Sequence, residues 1–287
     1  MNLESNRKRR IDEMEEFKTF SNEIDYLVNF FKSFSNLISY NGIIIMFFTN
    51  EQHFLFNTTL IESSSQTLRS IKQCCLIGSF SDANTLVRKL RDDLIQYIYI
   101  LTIIKERNHR IHESLTEDEK AVSAWFSNSV SESKPSIRLK LDFINYMKTL
   151  EKNPKIKYIL EKYNLQNYWE VLRNRLNDYV HNNGIKFSMH NSIETYNKDL
   201  KTHLKNINTR TDFISSFFVI ILLMVNPSLI MSTEYVDYMD SGLPPPQDCQ
   251  YDIAPFVQDF INSKINKIHP ELKDYLKDNN IYGMKIE

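Results

Sequence analysis

The stretch Leu60–Glu106, LIESSSQTLRSIKQCCLIGSFSDANTLVRKLRDDLIQYIYILTIIKE, decides the fold class. Its first part, through Phe80, reads as a helix stopped near Gly78. Its second part carries apolar residues at Leu86, Leu90, Leu94, Ile98 and Leu101, the spacing of one helix face. Ser81 or Asp82 stands where an N-cap would begin this second helix. Two helices joined by a turn of three or four residues form an antiparallel hairpin.

The flanking sequence continues the pattern. Upstream, Met14, Phe17, Phe20, Ile24, Leu27, Val28, Phe31 and Phe34 step by three and four over about residues 11–38, with a break expected near Phe34. Gly42 and IIIMFF (Ile43–Phe48) follow, either a buried strand or the start of a core helix. Downstream, Thr116 and Glu119 have capping-box spacing, so a short helix is predicted through Trp125 and Phe126. SNSVSESKPS (Ser127–Ser136) reads as a mobile loop. Helices are predicted at Ile137–Glu151, Pro154–Tyr163 and Asn167–His181, and a polar one at Ser192–Ile207. FISSFFVIILLMV (Phe213–Val225), closed by Asn226 and Pro227, is a separate segment too short for a membrane span and reads as a buried core helix. After an extended spacer at Leu243–Pro246, a final helix is predicted over Pro255–Ile265.

Composition narrows the classes. Five Gly and eight Pro in 287 residues are about a third of the usual share, too few for turn-rich β folds or Gly-rich phosphate loops. Long helices and few turns give an all-α fold. With 42% hydrophobic and 12% aromatic residues the chain can bury a core, which excludes intrinsic disorder. A net charge of −1 excludes a strongly basic coat, so any polyanion-binding surface is local. Cys74, Cys75 and Cys249 form no CxxC pair, and the N-terminus has no apolar run after its basic cluster Arg7–Arg10; a reducing, cytoplasmic location is expected.

No nucleotide-loop, serine-hydrolase or zinc-protease motif is present, and His109, His112 and Glu113 read as a solvated surface group. One constellation remains, in WEVLRNRLNDYVHNNG (Trp169–Gly184). At 100° per residue Asn174, Asn177, Asp178 and His181 share a face, with Arg175 at its border. Asn182, Asn183 and Gly184 release the helix end. An arginine, an amide and an imidazole at one rim suit phosphodiester cleavage: the guanidinium neutralises developing charge and the imidazole moves the proton.

Arg175 and His181, five residues between them, resemble the Arg-x4–6-His motif of the HEPN superfamily, the higher eukaryote and prokaryote nucleotide-binding helical domains, whose Abi-like branches include toxin and phage-defence ribonucleases. The resemblance spans at most Asn57–Val225. It implies a HEPN-like bundle over 57–227, with extensions at 1–56 and 228–287, and metal-independent cleavage of RNA through a 2′,3′-cyclic phosphate. It implies His181 as general acid/base, Arg175 on the phosphate, Asn177 or Asp178 orienting the imidazole, and Arg173 and Asn174 as supporting contacts. Leu176 follows Arg175 where the family often has a polar residue, and Arg173–Asn174 offers that dipeptide at a longer spacing, so both arginines stand as candidates. Arg91, with Arg88, Asp92 and Asp93, lies on the hairpin helix that would pack nearby, as a further phosphate contact or an ion-pair network. No cofactor or metal is expected; a homodimer is, with an inhibitor, partner or activating ligand. Two rivals remain: a non-catalytic module binding a protein or nucleotide, and a membrane-acting effector using Phe213–Val225.

Overall fold

The computed structural model describes residues 11–41, 44–48, 52–191, 193–246, 249, 252–268, 270–279 and 284–287, without the side chains of 193–199 and 268. Arg7–Arg10, Gly42 and Ile43 therefore lie outside the described residues. The protein is 77% helical with a two-stranded sheet, an all-α fold.

Four long helices make the core. They are α1 (Glu15–Asn41), the hairpin α2 (Thr59–Leu76) and α3 (Phe80–Asn108), and a late helix, Ile193–Val225. α1 packs on α2, α2 on α3, α3 on the late helix, and that helix back on α1, which closes the bundle. Phe31 and Phe34 of α1 reach Phe218 of the late helix with ring centroids 5.9 and 5.8 Å apart. α1 thus forms one wall of the bundle, although the sequence reading assigns it to an extension. It also runs unbroken past Phe34, because Phe34, Leu37 and Ile38 continue the buried face.

The hairpin turn is Ile77–Gly78–Ser79. Gly78 adopts φ 74°, where a side chain would be strained, and the Ser79 N–H closes the turn on the Cys74 carbonyl at 2.7 Å. Ser79, not Ser81 or Asp82, occupies the N-cap of α3. Residues of the IIIMFF run form β1 (Ile44–Phe47), antiparallel to β2 (His53–Phe56), with Ile44 opposite Phe56. Buried Arg107 of α3 pins this ribbon by donating to the carbonyls of Phe47, Phe48, Ile111, Arg110 and Glu113 at 2.8–3.1 Å.

α4 (Glu117–Phe126) starts on the expected capping box of Thr116 and Glu119. The helix predicted over 137–151 is split. A short turn at Pro135–Arg138 and a 3₁₀ turn precede α5 (Phe143–Leu150), because extended Asp142 accepts from the Asn145 N–H and starts a new helix. α6 (Pro154–Lys162) and α7 (Leu165–Val180) follow, then the single-turn α8 (Ile185–Met189).

The late helix, α9 (Ile193–Val225), merges two segments read as separate. The linking NTRTD contains neither Gly nor Pro, and its side chains are held: Thr211 bonds back to the Ile207 and Asn208 carbonyls at 3.1 and 2.9 Å. Leu200–Val225 is long and apolar enough to cross a membrane by length and composition, but 78% of its most apolar window is buried by the rest of the chain. α10 (Thr233–Asp240) and α11 (Pro255–Phe260) come next. α11 runs through a π-turn at Ile261–Ile265, and α12 (Pro270–Asn279) extends the tail beyond the helix expected to be last.

Candidate functional site

α7 buries Leu165, Trp169, Leu172, Leu176 and Tyr179, steps of four, three, four and three that seat one face in the groove between α3 and α9. Trp169 anchors it against Phe213 and Phe217 of α9, at 5.0 and 4.6 Å between ring centroids. At the C-terminal end His181 donates its backbone N–H to the Asn177 carbonyl at 2.9 Å, and Asn182 turns left-handed at φ 51°. Gly184, at φ 133°, directs the chain into α8. Phe187 of α8 then packs edge-on against Tyr179 at 4.9 Å.

This return brings two guanidinium groups onto one tyrosine. Arg175 lies 5.4 Å from the Phe187 ring centroid and 5.9 Å from that of Tyr179; Arg210 of α9 lies 5.7 Å from Tyr179. Arg210 donates to Asn84 Oδ1, and Asn84 is itself tied to the Phe80 carbonyl at 2.7 Å. Burial pushes the Arg210 pKa down, and the neighbouring charge of Arg175 adds to that shift. Among the described residues no carboxylate forms an ion pair with Arg173, Arg175 or Arg210. Next to this pair, His190 and His203 meet at 4.6 Å, and His203 stacks on Phe80 at 4.7 Å.

The other expected residues fall as follows. His181 is exposed at the end of α7, and no side-chain bond joins it to Arg175, Asn177 or Asp178 among the described residues. Asp178 accepts from Asn183 Nδ2 at 3.1 Å instead, and Asn177 Oδ1 is buried without a partner. Neither orients the imidazole within one chain. Arg173 leans on Asn174 at 3.4 Å.

Arg91 is a correction. It is 1% exposed, bonded to Asp92 at 2.6–2.8 Å and stacked 4.1 Å over Phe143, so it cannot meet an RNA phosphate from that position. Asp92 also pairs with Arg88, and Asp93 with Lys89, the ion-pair network that the sequence also offers for this cluster.

Sequence reasoning missed Arg210. Its signal was present: His203, Ile207 and Arg210 recur at helical spacing on one face of α9. None of the three cysteines forms a disulfide. Among the described residues no group of three His, Cys, Asp or Glu is placed to hold a metal ion, and Glu113 pairs with Arg110 at 3.0 Å.

Guanidinium groups without acidic partners among the described residues can bind a phosphodiester, and the exposed imidazole at the end of α7 can move a proton; no contact joins the two within one chain among the described residues. Compared with family models, curated proteins and solved structures, the chain matches none.

Proposed function

We propose that this protein is a metal-independent endoribonuclease of HEPN type, acting in the cytoplasm as a toxin or phage-defence effector. The observation that carries this reading is that Arg173, Arg175 and Arg210 have no acidic partner among the described residues, on the same stretch of the fold as exposed His181 at the end of α7. An anionic backbone can supply a counter-charge there. Arg175 and Arg210 stabilise the phosphate as the RNA 2′-hydroxyl attacks, and His181 accepts the hydroxyl proton or protonates the leaving 5′-oxygen.

A second copy completes the site in this reading. Val171, Asn174, Asp178 and His181 fall within about 80° of one another on α7, and the nearby Val180, Ile185 and Met189 are also exposed. That face is mostly polar, with Val171 its one apolar residue, and a two-fold contact across it pairs two imidazoles. A free nuclease also needs restraint, by an inhibitor or a required activator.

The test is incubation of wild type, Arg175→Ala, Arg210→Ala and His181→Ala with total RNA and tRNA in EDTA, with end mapping. Cleavage leaving 2′,3′-cyclic ends, lost in the variants, supports the reading; cleavage surviving in all three removes it. A non-catalytic binding module is the second reading. The observation favouring it is that Arg175 rests on the Phe187 and Tyr179 rings and makes no bond to His181. Under it the wild type cleaves nothing, and Arg175→Ala lowers stability.

A further inference from the structure

A cavity of about 440 Å³ opens at the other end of α7, between that helix, α9 and the π-turn after α11. A single water takes about 30 Å³, and small-molecule sites occupy roughly 300–1,000 Å³. This space is therefore ligand-sized.

Its walls are of two kinds. Tyr168 and Phe213 form an aromatic side, their ring centroids 4.2 Å apart. The rest of the lining is mostly polar, with side chains from α9 beside Phe213 and from the π-turn. One extra residue in the Ile261–Ile265 turn shifts the helical register, and Lys264 lies inside, 6% exposed. Lys264 donates to Asp212 Oδ1 at 2.8 Å and to Glu23, and lies 5.2 Å from the Tyr26 ring centroid. Those bonds fix the Asp212 carboxylate and leave its Oδ2 without a protein partner among the described residues. Ser216 also lines the cavity; it is 0% exposed, and its Oγ has no hydrogen-bond partner among the described residues. A buried hydroxyl left unpaired costs about 1–3 kcal/mol unless something meets it. At the rim, Lys267 is exposed and in no ion pair among the described residues.

From this arrangement we infer that the cavity is a binding site for a small planar heteroaromatic anion that carries a ring N–H. The ring packs on Tyr168 and Phe213, the N–H donates to Asp212 Oδ2 with Ser216 Oγ bonding the adjacent edge, and the anionic group meets Lys267. The inference does not depend on the nuclease reading: none of its contacts involves Arg175 or His181.

Three probes separate its parts by calorimetry on the full chain. Indole-3-acetate has the flat ring, the N–H and the anion. 1-Methylindole-3-acetate lacks the N–H, and tryptamine replaces the anion with a cation. Indole-3-acetate binds wild type saturably, N-methylation weakens it about tenfold, the worth of one buried hydrogen bond, and tryptamine binds at least as weakly. Thr209→Trp, at an exposed lining position, plugs the cavity and abolishes binding with an unchanged circular dichroism spectrum; Lys267→Glu weakens the acid about tenfold. The inference is overturned if wild type binds no probe up to about 5 mM, or if Thr209→Trp binds as wild type does. Tryptamine binding as tightly as the acid, or Lys267→Glu without effect, overturns the anionic class.

Discussion

α7 begins and ends on an asparagine in the left-handed conformation, Asn164 at φ 52° and Asn182 at φ 51°, yet its two ends are built on opposite electrostatic plans. At the first end the cation is paired: buried Lys264 faces the part-exposed carboxylates of Asp212 and Glu23. At the last end the part-buried guanidinium groups of Arg175 and Arg210 share one tyrosine ring, and no carboxylate is paired to either among the described residues. Desolvating a charge costs several kcal/mol per ion, which an opposite charge or a ring face offsets. The first end is thus organised around a cavity, and the second holds cations that a polyanion can pair with.

The sharpest way to break the comparison is to remove a charge at each end. His181→Ala is expected to reduce RNA cleavage about 10²–10⁴-fold, the usual worth of a general acid/base, and to leave the melting temperature unchanged because the side chain is exposed. Measured kcat/KM within about threefold of wild type would remove His181 from the chemistry. Lys264→Ala should do the reverse. It strands two carboxylates near a buried site and costs about 3 kcal/mol, toward the lower end for broken buried pairs because Glu23 is about one-third exposed. Urea denaturation checks it, and the double variant Lys264→Met/Asp212→Leu should recover most of the loss.

Acid titration sharpens the same contrast with two aspartates. Burial pushes Asp212 above the ordinary aspartate range, and its bond to Lys264 only partly offsets that. Asp118 is pulled below the range: burial would raise it, but hydrogen bonds from Asn145 and Tyr99 and the charge of Lys140 outweigh burial. The signs follow from linkage. A lowered folded pKa gives stability that is present above the unfolded value and lost as pH falls through the folded one. A raised folded pKa gives a contribution that is full below the unfolded value and fades as pH rises through the folded one. Unfolding free energies between about pH 3 and 6 should therefore show that Asp118→Asn and Asp212→Asn alter the pH slope in opposite directions. Parallel changes would mean that the two sites share one electrostatic plan.

The local parts of this architecture were legible before the tertiary ones. The apolar step through Leu90, Leu94, Ile98 and Leu101 sets α3, and Thr116 with Glu119 sets the start of α4, because helix faces and caps are encoded within a few residues. The continuity of α9 was not legible. A polar NTRTD between a Lys-rich and an apolar segment reads as a boundary until Asn84 and Lys264, distant in sequence, supply partners for Arg210 and Asp212. Arg91 misled for the same reason, since its cover is Phe143. At the site, His181 and Arg175 could be named from the motif, but the inward turn of Arg175 depends on Phe187 in the next helix, and the cavity depends on a π-turn with no sequence signature.

The smallest expected effect bears most directly on what the cavity is for. Ser216 and Thr211 are both buried hydroxyls on α9, one helical turn and a half apart. Thr211 bonds back to two carbonyls of its own helix, whereas Ser216 has no partner. Removing a satisfied hydroxyl forfeits a bond; removing an unsatisfied one relieves a desolvation cost. Thr211→Ala is expected to destabilise by about 1 kcal/mol and Ser216→Ala to be neutral or stabilising by up to about 1 kcal/mol. If Ser216→Ala also weakens indole-3-acetate binding, the hydroxyl is kept at a stability cost for recognition. If it destabilises as Thr211→Ala does, Ser216 has an internal partner, and the cavity loses one of its three polar contacts.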